Sequence, residues 1–78
     1  MKNQRLFAGI DDGLYEYAIW ATTRSAAAAM LGSRFLLGEL ADQSDNKALK
    51  QICSDKSKIY RRDLGHDENP WETEAANA

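Results

Sequence analysis

Asp12-Gly13 constrains this chain more than any other step in it. It sits between two apolar runs, LFAGI and LYEYAIW. An Asp-Gly pair so flanked signals a hairpin with a type I′ turn, because both central residues need positive φ. With a two-residue turn the register follows. Ile10 faces Tyr15, Ala8 faces Tyr17, and Leu6 faces Ile19, giving one apolar and aromatic face. The other face carries Arg5, Phe7, Gly9, Glu16, Ala18 and Trp20. A three-residue loop over Asp11-Asp12-Gly13 pairs Ile10 with Leu14 instead and sets Glu16 beside Ala8 and Ile10. The cleaner separation favours the two-residue turn, since a one-residue slip turns every side chain of a strand over.

Thr22 or Thr23 caps a helix from about Arg24 to Leu31, where Ala26–Ala29 give high helix propensity and little bulk. Gly32 suits its end. Ser33 caps a second, short helix from Arg34 to about Leu40, with Phe35, Leu36, Leu37 and Leu40 as its apolar content, or one helix continues through Gly32, where an isolated glycine costs only about 1 kcal/mol. The run Ala41–Asp45 reads as a loop. Asp45 or Asn46 caps a third helix through about Ser54, striped by Ala48, Leu49, Ile52 and Cys53. Lys58–Leu64 is the third strand.

The expected fold class is α+β, in the order β-β-α-α-α-β. It is a three-stranded antiparallel sheet with two or three short helices on one face. Residues 1–66 make the single domain. Residues 67–78 make an acidic, partly disordered tail, its last five or six residues disordered and Trp71 placed to pin it against the body.

Seventy-eight residues support one small core, and small cores often lean on disulfides, metals or a second subunit. With one cysteine and one histidine, no internal disulfide and no clustered metal-ligand set is expected. The net charge of −2 argues against a bulk electrostatic nucleic-acid binder. MKNQRLF offers no apolar run for a signal peptide or a membrane span, and a lone cysteine fits a reducing compartment, so the cytoplasm is the expected location. Charge is nonetheless segregated. Lys47, Lys50, Lys56, Lys58, Arg61 and Arg62 cluster against Asp55 alone, and Asp67, Glu68, Glu72 and Glu74 follow.

No pattern points to catalysis or to a cofactor. Asp11-Asp12 is explained by turn chemistry. Cys53 lies on an apolar stripe, where free cysteine is usually buried. His66 stands beyond the last strand, and the glycines form no phosphate-binding loop. Binding is better supported. If helices cover the face with Tyr15, Tyr17 and Ile19, then Arg5, Phe7 and Trp20 face outward, as an aromatic and cationic surface for a partner.

The passages YEYAIWATTRSAAAAMLG and IYRRDLGHDENPW resemble small phage and prophage proteins, in which a Tyr-rich strand runs into an Ala-rich helix closing on Leu-Gly. In those proteins the chain ends in a strand with paired basic residues, a Gly and a Pro-Trp. The resemblance spans most of residues 14–71 and departs from the family at ADQSDN, where a glycine-containing loop is expected. It implies a mobile-element origin and no assigned activity. A looser likeness is to anti-CRISPR proteins, several of which are short, acidic, α+β and non-catalytic.

Three functions follow as expectations. The first is a non-enzymatic inhibitor from a phage or mobile element. It occupies a surface of a host protein or ribonucleoprotein complex through Arg5, Phe7 and Trp20, or through Lys47, Lys50, Lys58, Arg61 and Arg62. The second is a nucleic-acid-binding module using the basic stretch 47–62. The third is a homo-oligomerising structural protein, most simply a homodimer, with the open sheet face as its interface.

Overall fold

A computed structural model describes residues 3–65 and 71–75. The Asp12-Gly13 turn forms as expected. Both residues have positive φ, 54° and 71°, and the Leu14 N–H donates to the Asp11 carbonyl at 3.1 Å, which is the type I′ pattern. The strands then slip by one residue. β1 (Arg5–Asp11) and β2 (Tyr15–Ala21) pair Asp11 with Tyr15, Gly9 with Tyr17, Phe7 with Ile19 and Leu6 with Trp20. Leu14 is therefore an extra residue between turn and ladder, a bulge. Its carbonyl is used elsewhere, accepting from the Leu64 N–H at 2.9 Å at the end of the neighbouring strand.

This slip corrects the expected register. Tyr17 and Ile19 do face the alanine helix, but their companions on β1 are Phe7 and Gly9, in place of Leu6, Ala8 and Ile10. Bulges re-aim side chains in this way.

The fold class also needs correction. The sheet has five antiparallel strands in the order β3-β1-β2-β4-β5, where β3 is Ala41–Asp42, β4 is Lys58–Asp63 and β5 is Glu72–Ala75. There are two helices among the described residues, α1 (Arg24–Leu31) and α2 (Lys47–Ile52), and they lie on opposite faces. The expected helix from Arg34 to Leu40 is a 3₁₀ turn at Gly32–Arg34 followed by irregular backbone. The expected loop at Ala41 contributes a two-residue edge strand, and Glu72–Ala75, within the tail expected to be partly disordered, forms the other edge.

The other two helix signals hold. Thr23 caps α1, its hydroxyl accepting from the Ala26 N–H at 3.0 Å, and the helix ends at Gly32. Asn46 caps α2 by accepting from the Leu49 N–H at 3.0 Å.

Each face has its own core. Under α1 lie Phe7, Tyr17, Ile19, Ala21, Ala27, Leu31, Phe35, Leu40 and Ile59. Under α2 lie Leu6, Ala8, Ala18, Trp20, Cys53 and Tyr60, with Leu49 and Trp71 at the margin. Leu6, Ile19, Leu31 and Ile59 are fully buried, and each such side chain stabilises the fold by roughly 1.5–3 kcal/mol. A sheet covered on both faces explains why the centres of β1 and β2, LFA and YAIWA, are apolar at every position.

Among the described residues no helix is long and apolar enough to cross a membrane.

Candidate functional site

The residues singled out in the sequence do not form one surface. Phe7 and Trp20 are core residues, 4% and 5% exposed, so the expected open aromatic face does not exist. Trp20 lies under α2, where its indole N–H donates to the Cys53 carbonyl at 2.6 Å and the Lys56 ammonium sits 5.0 Å from its ring centroid. Arg5 is exposed and pairs with Asp42.

The basic stretch is divided by strand alternation. Lys47 and Lys50 lie on α2, and Lys58 and Arg62 point to the same side of the sheet. Arg61 points to the α1 side. Arg62 pairs with Glu16 across β2 and stacks 4.8 Å over the Trp71 ring. Arg61 pairs with Glu72 at 2.7 Å and lies 5.3 Å from the Tyr15 ring centroid. The Glu72 carboxylate beside it raises the Arg61 pKa further above its ordinary value. Arg34 pairs with Glu74 at 2.6 Å. These last two pairs wall a groove of about 310 Å³ over Tyr17 and Ile59. Its charges are matched, and their first effect is to fasten β5 to the sheet.

The surface that stands out is the hairpin end. Five exposed apolar residues gather there. Leu36 and Leu37 are each 72% exposed, Leu14 57%, Ile10 48% and Leu64 37%. Backbone contacts bring them together. Asp11, next to the turn, accepts through one carboxylate oxygen from the N–H groups of Leu36 at 3.1 Å and Leu37 at 2.6 Å. Leu14 bonds to the Asp11 carbonyl on one side and to the Leu64 N–H on the other. Gly38 packs against the Ile10 carbonyl so closely that no Cβ would fit. Phe35, the residue before the two leucines, is buried edge-on to Tyr17 with ring centroids 6.0 Å apart. One buried aromatic and one carboxylate thus hold two leucines out in solvent.

The sequence contains a signal for this. Phe35, Leu36 and Leu37 are consecutive, and three consecutive side chains cannot share one helix face. On a helix laid against one sheet face, at least one of them points away from that face.

Elsewhere, Glu16, Gln43, Asn46, Leu49, Ile52, Arg62 and Trp71 line a shallow cleft of about 280 Å³ beside α2. No group of three potential metal ligands occurs among the described residues. Burial pushes the Cys53 thiol up to about 11, with the Glu16 charge adding to the effect. A thiol so placed is a poor nucleophile near neutrality.

The chain matches no protein-family model, no curated protein and no solved structure.

Proposed function

We propose that this protein works by binding another protein through the leucine-bearing end of its sheet. It acts as a small non-enzymatic inhibitor from a phage or mobile element, occupying a surface of a host complex. One observation carries the reading. Leu36 and Leu37 are displayed to solvent in a fixed backbone frame, anchored by Asp11 and by buried Phe35. Clustered exposed apolar side chains commonly mark interaction sites, and a frame ordered before binding lowers the entropic cost of association. The mobile-element origin rests on the likeness of the tyrosine-rich strand and alanine helix to phage and prophage proteins.

The nucleic-acid reading is weaker. Arg61 points away from the other basic residues of the stretch, and Arg61 and Arg62 are each paired with a glutamate.

The test is capture from a bacterial lysate with the wild-type chain and with the double variant Leu36→Asp/Leu37→Asp. These side chains are exposed, so the circular dichroism of the variant should match the wild type. A stoichiometric partner should be recovered by the wild type and by Lys47→Glu/Lys50→Glu, and lost by the leucine variant. Retention by the leucine variant would overturn the assignment of the surface.

A further inference from the structure

The charges around the leucines indicate what kind of protein surface fits them. From Gly9 to Glu16 and from Phe35 to Asn46 the chain contains no lysine or arginine. These two segments supply Asp11, Asp12 and Glu39, while the cations of the third, Arg61 and Arg62 on β4 ahead of Leu64, are held by Glu72 and Glu16. Elsewhere on the sheet the carboxylates are matched: Glu16 to Arg62, Asp42 to Arg5, Glu72 to Arg61 and Glu74 to Arg34. Asp12 and Glu39 are both exposed, and neither makes an ion pair with a described residue. Arg24 lines the same groove of about 350 Å³ as Glu39, yet makes no ion pair with it. Asp12 and Glu39 therefore stand beside an apolar centre with no ion pair among the described residues.

Resting on the docking reading above, we infer that the partner presents a cationic amphipathic segment. Its apolar side chains meet Leu14, Leu36 and Leu37, and its lysines or arginines meet Asp12 and Glu39. Complementary potentials raise the association rate and exclude partners of the wrong sign. The same carboxylates oppose a second copy of this chain docking by the same end, because like charges would be brought together.

The probes are three synthetic helical peptides of identical length and leucine pattern, with lysine, glutamate or glutamine at every polar position. Binding is read from amide shifts of the full chain in nuclear magnetic resonance. The lysine peptide should shift the amides of residues 10–14 and 36–39, and it should weaken about tenfold or more from low to high salt as screening sets in. Asp12→Lys/Glu39→Lys should weaken the lysine peptide at least as much and admit the glutamate peptide.

Equal binding of the glutamine or glutamate peptide at these amides would overturn the cationic assignment and leave the docking surface standing. Absence of shifts there with all three peptides, together with partner capture unaffected by Leu36→Asp/Leu37→Asp, would overturn both. A dimer in sedimentation that this double variant dissociates would make a second copy the occupant and overturn the inference.

Discussion

The Asp11 carboxylate accepts the backbone N–H of Leu37 at 2.6 Å, twenty-six residues away in sequence, and through the same oxygen that of Leu36. A strand-end side chain thereby sets the path of an irregular segment that has no ladder of its own. Asp11→Ala should release it. The freed N–H groups are near water, so the cost to stability is small, about 1 kcal/mol. Hydrogen exchange at Leu36 and Leu37 should accelerate while the amides of β2 stay protected. Unchanged exchange at both leucines would show that Phe35 alone holds the segment.

Deleting Leu14 tests the bulge. Asp11 and Tyr15 already oppose each other, as the residues flanking a two-residue turn do. The shortened chain can close the same Asp12-Gly13 turn without turning any side chain over. It loses the Leu14–Leu64 hydrogen bond, and the expected destabilisation is below about 1.5 kcal/mol. The emission of buried Trp20 should be unchanged. A loss of several kcal/mol with exposed-tryptophan emission would show that Leu14 is needed to set the register.

How far the sequence carried is visible at this hairpin. The turn, both helix caps at Thr23 and Asn46, and the strand at Lys58 are local chemistry, and local chemistry is written in a few adjacent residues. The register was not, because a bulge depends on what the bulged residue bonds to, and Leu64 is fifty residues from Leu14. The second helical layer has a sign in β1 and β2. LFA and YAIWA are apolar at every position, which a sheet with one wet face would not need. The candidate site was legible only as a misfit, in the run Phe35-Leu36-Leu37. The strand at Glu72–Ala75 was obscured by its alternating glutamates, which oppose further pairing at an exposed edge.

Cys53 gives stability a pH dependence on the alkaline side. Burial holds its thiol neutral up to about 11, against 9.0 for a free cysteine side chain. The unfolded chain therefore loses its proton first. The contribution is whole below about pH 9 and is lost progressively as pH rises toward 11, because only the unfolded state gains from ionisation in that window. The comparison that isolates the thiol is with Cys53→Ala, whose stability should fall less steeply between these limits. In the native protein at pH 8, Cys53 should resist alkylation by iodoacetamide until denaturant is added. Parallel pH profiles for the two chains would contradict the burial argument.

Trp20 serves the α2 core in two ways, through its ring area and through its indole N–H on the Cys53 carbonyl. Trp20→Phe keeps most of the ring and removes the donor. That carbonyl is then buried and unpaired, at a cost of about 1–3 kcal/mol. Trp71→Phe should cost less, since Trp71 is half-buried at the margin and its contact with Arg62 is a cation–π stack, a type worth about 0.5–1 kcal/mol where exposed. Chemical denaturation of the two variants measures both. A larger loss from Trp71→Phe would place the anchor of the α2 face at β5 instead.

Gly38 links the core to the leucine-bearing end, because it lets two backbones meet where a side chain would separate them. A Cβ there would run into the Ile10 carbonyl oxygen and lie 2.7 Å from the Phe35 ring. Neither neighbour can yield cheaply, one being strand backbone and the other a buried aromatic locked against Tyr17. Gly38→Ala should therefore lift residues 36–39 away from β1 and cost about 1–3 kcal/mol, the usual range for overpacking. The displacement should break the two hydrogen bonds to Asp11, so binding through Leu36 and Leu37 should weaken by more than the Asp11→Ala variant shows. Gly13→Ala, at a position with positive φ and open space around it, should also destabilise the fold through backbone strain, yet leave residues 36–39 seated. Amide shifts at Leu36 and Leu37 separate the two cases: large in Gly38→Ala, small in Gly13→Ala. Similar shifts in both would mean that the turn, rather than the approach of Gly38 to Ile10, positions the leucines.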